Sequence, residues 1–227
     1  MLTLFAPDLY VADGPVVNFF GFPYPTRMAV IRLRNGDLWV WSPIELTAGL
    51  VAAVNQIGSV EYIVSPNKLH HLFLSEWNQC WPRSRLYAPP GLARKLPQLE
   101  FAAELGDQPE PQWASDLDQA LFAGSPAMQE VVFLHRVSGT ALFGDLIQRF
   151  PSSTANGWRG MLMRLSGLVD PRGGTPLDWR LSFLKHAGAR DARRKVLRWQ
   201  PQRLLIAHGN CAATGATQII QAALRWI

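Results

Sequence analysis

The sequence predicts an α/β fold built on mixed β-sheet, and three observations carry that expectation. An Asn-Gly pair separates two apolar runs in RMAVIRLRNGDLWVWSP (27–43), a strand–helix–strand pattern follows it, and two further apolar strands return at QEVVFLH and TALFGDLI. Antiparallel hairpins flanking a parallel crossover require a sheet of mixed direction.

Each element has its own local reason. LYVADGPV (9–16) places Asp13-Gly14 between apolar runs and predicts a first turn. Asn35-Gly36 predicts a hairpin, because both residues accept the positive φ that a two-residue turn demands. In PIELTAGLVAAVNQIG, Thr47 is a helix cap, apolar residues recur at helical spacing, and Gly58 ends the helix. VEYIVSP (60–66) is a short continuous apolar run of the kind buried on both faces, so it completes a parallel crossover. HHLFLSEWNQCW reads as helix, and SRLYAPPGLARKLP as strand, proline-stiffened loop and short helix. From 98 to 127 polar residues and proline accumulate, and no element is assigned there. QEVVFLH and TALFGDLI are strands joined by RVSG. Residues 150–180, rich in Gly, Pro, Ser and Trp, read as an irregular insertion with a short apolar helix around MLMRLSGL. A basic helix at about 182–199, a buried strand RLLIAHG and a helix GATQIIQAALRWI close the chain.

Composition limits the function classes. With 227 residues and 48% hydrophobic content, the expectation is one domain, 1–227, with one substantial core. Charged residues are 17% and there are nine Trp, so aromatic side chains are expected in the core or lining a cleft, and disorder is excluded. The net charge of +5 comes from scattered residues, apart from RDARRKVLR (190–198), which reads as a solvated helix face; nucleic acid is not an expected partner. The first residues lack the charge pattern of a secretion signal, no run of apolar residues is long enough to span a bilayer, and Cys80 and Cys211 lie far apart in sequence. A reducing cytoplasm without membrane contact is therefore expected.

Polar residues at the ends of buried strands carry the chemistry, since such ends converge on a common cleft in layered α/β folds. Three ends qualify: YIVSPNKLHH gives His70 and His71, ALFGD gives Asp145, and LLIAHG gives His208. In this order the segments resemble the metallo-β-lactamase-like superfamily: a strand leading to a HxHxDH corner, a strand ending in Gly-Asp, and a last strand ending in His-Gly. The resemblance implies a four-layered αββα sandwich, two mixed sheets face to face with helices outside. It also implies a hydrolase-like domain with a degenerate metal site. Laid over SPNKLHH, the corner puts Pro66 and Lys68 where the first two histidines belong, His70 on the aspartate and His71 on the last histidine. Ser125 stands where a further histidine is usual, and Ser42 where active members place a supporting aspartate.

Two functional readings follow from the resemblance. In the first, His71, Asp145 and His208, with His70 as a fourth ligand or proton carrier, hold one zinc or iron ion that activates water, while Lys68 steadies an anionic small-molecule substrate. In the second, no metal binds and the chain is a catalytically inactive binding or scaffold protein, meeting a protein partner through the 150–180 segment near Trp158 and Trp179. His135 is expected at the far turn of its hairpin and His186 on an ordinary helix face. A nucleophile pair of Cys211 with His208 is a minor alternative, and no phosphate-binding glycine pattern is present.

Overall fold

The structure is a computed structural model that describes residues 1–19 and 21–227. Among the described residues, eleven strands form two sheets. The larger has the order β1 (Thr3–Ala6), β2 (Leu9–Phe19), β3 (Phe22–Arg32), β4 (Leu38–Trp41), β5 (Val60–Val64), β6 (Arg85–Ala88) and β7 (Phe101–Glu104). It is antiparallel from β1 to β4 and parallel from β4 to β7. In the smaller sheet, β8 (Leu117–Phe122), β9 (Glu130–His135) and β10 (Thr140–Phe143) are antiparallel neighbours, and β11 (Arg203–Ile206) runs parallel to β10 at the edge.

The period-two alternation of side chains sorts these strands into layers. Trp39, Trp41, Tyr62 and Val64 point inward to meet Val131, Phe133, Leu142 and Leu205 between the sheets. The intervening Val40 and Ile63 point out, against Leu50 and Val54 of α1 (Ala48–Ile57) and Leu74 and Trp77 of α2 (Leu74–Cys80). A short helix, α3 (Leu92–Lys95), adds Leu92 to that outer layer. On the other side Leu204, Ile206 and Phe143 pack under Ala189, Ala192 and Val196 of α6 (Ala187–Arg198) and Ile220 of α7 (Ala216–Ala223). The result is helix, sheet, sheet, helix, the expected αββα sandwich. Among the described residues no helix is long and apolar enough to cross a membrane.

Local expectations hold at the crossover and fail where packing overrides turn chemistry. Asn35-Gly36 lies in the β3–β4 hairpin, but of the two only Gly36 takes a positive φ, 91°, and the connection is a longer loop closed by backbone bonds from Leu33 to Asp37 and from Gly36 to Leu33 in place of the expected two-residue turn. The Thr47 hydroxyl accepts the Leu50 N–H as a cap of α1. Asp13-Gly14 makes no turn. β2 runs through it to Phe19 with a register shift between Asp13 and Val16, and a Cβ on Gly14 would lie 2.5 Å from the Thr26 hydroxyl. β7 and β8 occupy the stretch where no element was expected: β7 is a half-exposed edge strand, and β8 carries Asp118 and Gln119.

The basic stretch also divides. α5 (Leu177–Ser182) ends before α6 begins at Ala187, because the Leu184 and Lys185 N–H groups bond to the Gly124 carbonyl instead of continuing a helix. Lys195 of α6 reaches Asp107 and Asp118, and the helix packs along β8. In the 150–180 segment, a 3-10 turn (Ser152–Thr154) precedes α4 (Gly157–Leu165), and isolated bridges tie Gln148 to Gly174 and Phe150 to Val169.

Candidate metal centre at the strand ends

Four parallel strands, β4, β5, β10 and β11, deliver their C-terminal ends to one side of the sandwich, the place where open α/β layers gather side chains. β4 is followed by Ser42, held at φ 53° in the left-handed region that a serine adopts at a cost on the order of 1 kcal/mol. β5 runs into the corner of residues 65–71, pinned by the Ser65 hydroxyl, which lies 2.8 Å from the Asn67 carbonyl and 2.9 Å from the His70 carbonyl. β10 passes into Gly144-Asp145, and β11 through Ala207 into His208.

A buried carboxylate fixes the Gly-Asp turn. Glu130, at the start of β9, accepts the backbone N–H groups of Gly144 at 2.9 Å, Asp145 at 2.7 Å and Leu146 at 3.2 Å. Glycine at 144 lets that carboxylate approach: a Cβ there would stand 2.9 Å from the Glu130 Oε2 and 3.0 Å from the Asn67 Nδ2. Asn67 donates from Nδ2 to Glu130 and to Asp145, 2.9 Å in each case, and so holds two carboxylates side by side. Burial, then the neighbouring Asp145 charge, pushes the Glu130 pKa up to about 7, against the pull of the N–H groups it accepts.

Asp145 lies between two imidazoles. His70 Nε2 is 3.1 Å from Oδ2, and His208 Nε2 is 3.1 Å from Oδ1. The outer nitrogen of each ring is committed elsewhere. His208 Nδ1 donates to the Pro25 carbonyl at 2.7 Å. His70 Nδ1 lies 2.7 Å from the Ser42 oxygen, whose own proton goes to the Arg27 carbonyl at 3.0 Å, so the ring is the donor there too. The Arg27 guanidinium also holds the Ile206 and Gly209 carbonyls that flank His208. Residues 25–27, at one end of the β3 core, thus orient both rings.

A carboxylate oxygen only accepts, so each Nε2···O contact needs a positive bridge, either a proton or a metal ion. Burial by itself raises the Asp145 pKa, but the two imidazoles outweigh it and hold the carboxyl well below its ordinary value. For His208 burial pulls the pKa down, and contact with Asp145 reverses the sign and raises it. The same donor set fits one divalent ion. Nitrogen and oxygen ligands at bond lengths of about 2.0–2.1 Å in tetrahedral array stand about 3.3 Å apart, close to the 3.1 Å seen here. One ligand atom from each of His70, Asp145 and His208 lies within 4.8 Å of the others. Nδ1 donation to a carbonyl or hydroxyl is the support a metal-bound imidazole requires. A donor set of three residues would leave a coordination position open for water on any ion it held.

The expected site residues are therefore redistributed. His70, Asp145 and His208 come together, whereas His71 stands outside that group. It lines the wall of the same cavity, of about 200 Å³, with its pKa lowered by burial and by Lys95. Both histidines of the corner line that cavity, but only His70 has a ring nitrogen in contact with Asp145. Lys68 does not line the cavity; its ammonium packs against Gly91 at the start of α3, and the lysine on the cavity wall is Lys95. Ser125 caps the N–H groups of Ala127 and Met128 and bonds to Ser182. Cys211 faces Arg27 in a separate cavity, and burial pushes its thiol pKa up, which disfavours a thiolate nucleophile beside His208. His135 is the last residue of β9, beside the far turn, and His186 occupies the position before α6 without a side-chain capping bond, its ring against Trp226.

Sequence reasoning missed Glu130, Asn67, Arg27, Tyr24 and Gln148. Tyr24 stacks edge-on to His208 with ring centroids 5.2 Å apart and bonds to Gln148, whose Nε2 is 3.3 Å from Asp145. Glu130 did leave a signal, a lone acid at the head of the otherwise apolar run EVVFL. Pro25 and Arg27 left none, because their part is played by main-chain carbonyls and by a guanidinium that reaches across the sandwich.

Sandwich and strand-end cluster together define a metallo-β-lactamase-like fold. The structure is similar to DIM-1 metallo-β-lactamase, with a TM-score of 0.68 at 11% identity over 99% of this chain and 96% of that one. It is also similar to a metallo-β-lactamase from Hirschia baltica, with a TM-score of 0.66 at 14% identity over 100% and 96%. The metal-soaked Flv1 flavodiiron core from Synechocystis sp. PCC6803 gives a TM-score of 0.66 at 11% identity, over 100% of this chain and 60% of that one. Within this fold the chain belongs to the family described as a domain of unknown function, DUF4336, which matches residues 18–159. No curated protein matches it.

Proposed function

We propose that the chain is a metal-dependent hydrolase-like protein that holds a single zinc or iron ion through His70, Asp145 and His208. The observation behind this reading is the pair of imidazoles whose Nδ1 atoms are tied outward while both Nε2 atoms face one carboxylate at 3.1 Å. Such an ion, when bound, supplies Lewis acidity and lowers the pKa of a coordinated water toward neutrality. The chain's own residues do the rest. Pro25 and Ser42 keep the rings in their ligating orientation, and Glu130 with Asn67 holds Asp145 in place. His71 and Lys95 on the cavity wall place a proton carrier and a cation beside the floor, and Leu69, Met128 and Trp179 give the cavity apolar walls. Lys95 replaces Lys68 as the group suited to an anionic part of a small-molecule substrate.

The competing reading is a metal-free binding or scaffold protein in which two protons bridge the same contacts. The two differ in one measurement. Protein purified without chelator and analysed by inductively coupled plasma mass spectrometry is expected to carry close to one zinc or iron per chain, and an Asp145→Ala, His208→Ala double variant close to none. Equal metal content in the two proteins would leave the metal-free reading.

A further inference from the structure

We infer that the outer faces of α4 and α5 form a docking surface for an anionic lipid bilayer. α4 is built the wrong way round for a core helix. It turns its small residue inward, since a Cβ on Gly160 would lie 2.1 Å from the Ala155 backbone, and it sends Met161, Leu162 and Leu165 into solvent. Leu165 is 77% exposed. α5 repeats the pattern: Trp179 is buried while Leu177 and Leu181, four residues apart, stand exposed, Leu181 at 72%. The two helices are tied together, because Arg180 of α5 donates to the Ser166 carbonyl that ends α4. Apolar side chains at helical spacing on two adjoining helices make one surface, of a kind that a free monomer rarely exposes.

Charge selects the occupant. Between residues 150 and 189 the cations are Arg159, Arg164, Arg172, Arg180 and Lys185, against Asp170 and Asp178 alone. Asp170 is already engaged by Arg149. Arg164, Arg172 and Lys185 are exposed, and none of the three has an ion-pair partner among the described residues. A short helix with an apolar outer stripe and arginine or lysine around it matches the interface of an anionic membrane, where each cation near the surface strengthens the attraction. A second copy fits less well, because a symmetric contact would set the same uncompensated cations against each other. Helices too short to span a bilayer do not prevent such contact, which needs only interfacial burial. This surface is independent of the proposed ion.

Vesicle co-flotation of the full chain tests it, using phosphatidylcholine vesicles with and without phosphatidylglycerol. Partitioning is expected on the anionic vesicles and to fall at least tenfold on neutral ones and at high salt. Arg164→Glu with Lys185→Glu, and separately Leu162→Ser with Leu165→Ser, are each expected to weaken it about tenfold or more. Should the leucine variant lose its native circular dichroism spectrum, the charge variant decides alone. No flotation on anionic vesicles, equal flotation on neutral ones, or partitioning unchanged by the charge reversal would overturn the inference. So would a dimer in sedimentation equilibrium that the leucine substitutions abolish, which would assign the face to a second copy.

Discussion

Two histidines are buried at opposite ends of the smaller sheet, and they differ in what their rings touch. His135 and His208 are 1% and 5% exposed. His135 has hydroxyls for company: its Nδ1 lies 2.8 Å from Ser138, which lies 2.7 Å from Thr140. Burial lowers its pKa, and the charges of Asp116 and Asp8 do not restore it. His208 experiences the same burial, but contact with Asp145 reverses the outcome. A buried imidazole is thus neutral by default, and a touching carboxylate favours the form that holds a proton. The carboxylate lies at the end of β10 and β11 where parallel strands finish, while His135 lies at the end where β10 begins.

The largest effect is expected at the residue that builds this asymmetry. Glu130→Ala leaves three backbone N–H groups and the Asn67 amide without their buried acceptor. It should cost about 3–5 kcal/mol in urea unfolding. Glu130→Gln, which keeps an acceptor oxygen, should cost about half as much. A loss below about 1 kcal/mol for the alanine variant would show that Glu130 does not anchor the Gly-Asp turn.

A matched pair of hydroxyl deletions gives the next effect. Ser42→Ala removes the acceptor for His70 Nδ1 and is expected to weaken zinc binding about 10–100-fold in a competitive chelator titration. Ser138→Ala removes the corresponding partner of His135; it should leave zinc affinity unchanged and cost about 1 kcal/mol of stability. Equal zinc affinity in the two variants would erase the distinction between the ends of the sheet.

What could be read beforehand follows from the range of the forces involved. The hairpin at Asn35-Gly36 and the cap at Thr47 are settled by a few residues, and both were legible, the hairpin in its place but not in its loop length. The four-layered sandwich was legible only through the resemblance carried by the strand ends, because β4, β5 and β11 are nearly continuous apolar runs that show burial on both faces without showing which side chain meets which layer. Asp13-Gly14 misled because the approach of Thr26 and Ile44 from neighbouring chain segments, not the dipeptide, determines that backbone. At the site, Asp145 and His208 were readable from strand ends. The choice between His70 and His71 was not, since it depends on how Ser65 folds the corner. The displacement of Lys68 by Lys95 required knowing that α3 packs beside that corner.

The smallest effect is the sharpest in sign, because His208 and His135 should couple to pH in opposite directions. In metal-free protein the pKa of His208 is raised. Its stabilising contribution is complete below the ordinary imidazole value and disappears as the pH rises through the raised one. His208→Gln should therefore cost more stability at about pH 5.5 than at about pH 8. The pKa of His135 is lowered, so its neutral form is the one the fold favours, and that contribution is lost as the pH falls. His135→Gln should accordingly cost more at about pH 8 than at about pH 5.5. Thermal melts in chelator at the two pH values measure both differences, and a shared sign would contradict the proton-bridged picture of His208. Zinc sharpens the contrast: an ion on Nε2 requires that nitrogen deprotonated and competes with the proton there. With saturating zinc the cost of His208→Gln should shift toward alkaline pH and take the sign seen for His135. Failure of zinc to move that sign would mean that protons, and not an ion, bridge Asp145 to its two imidazoles.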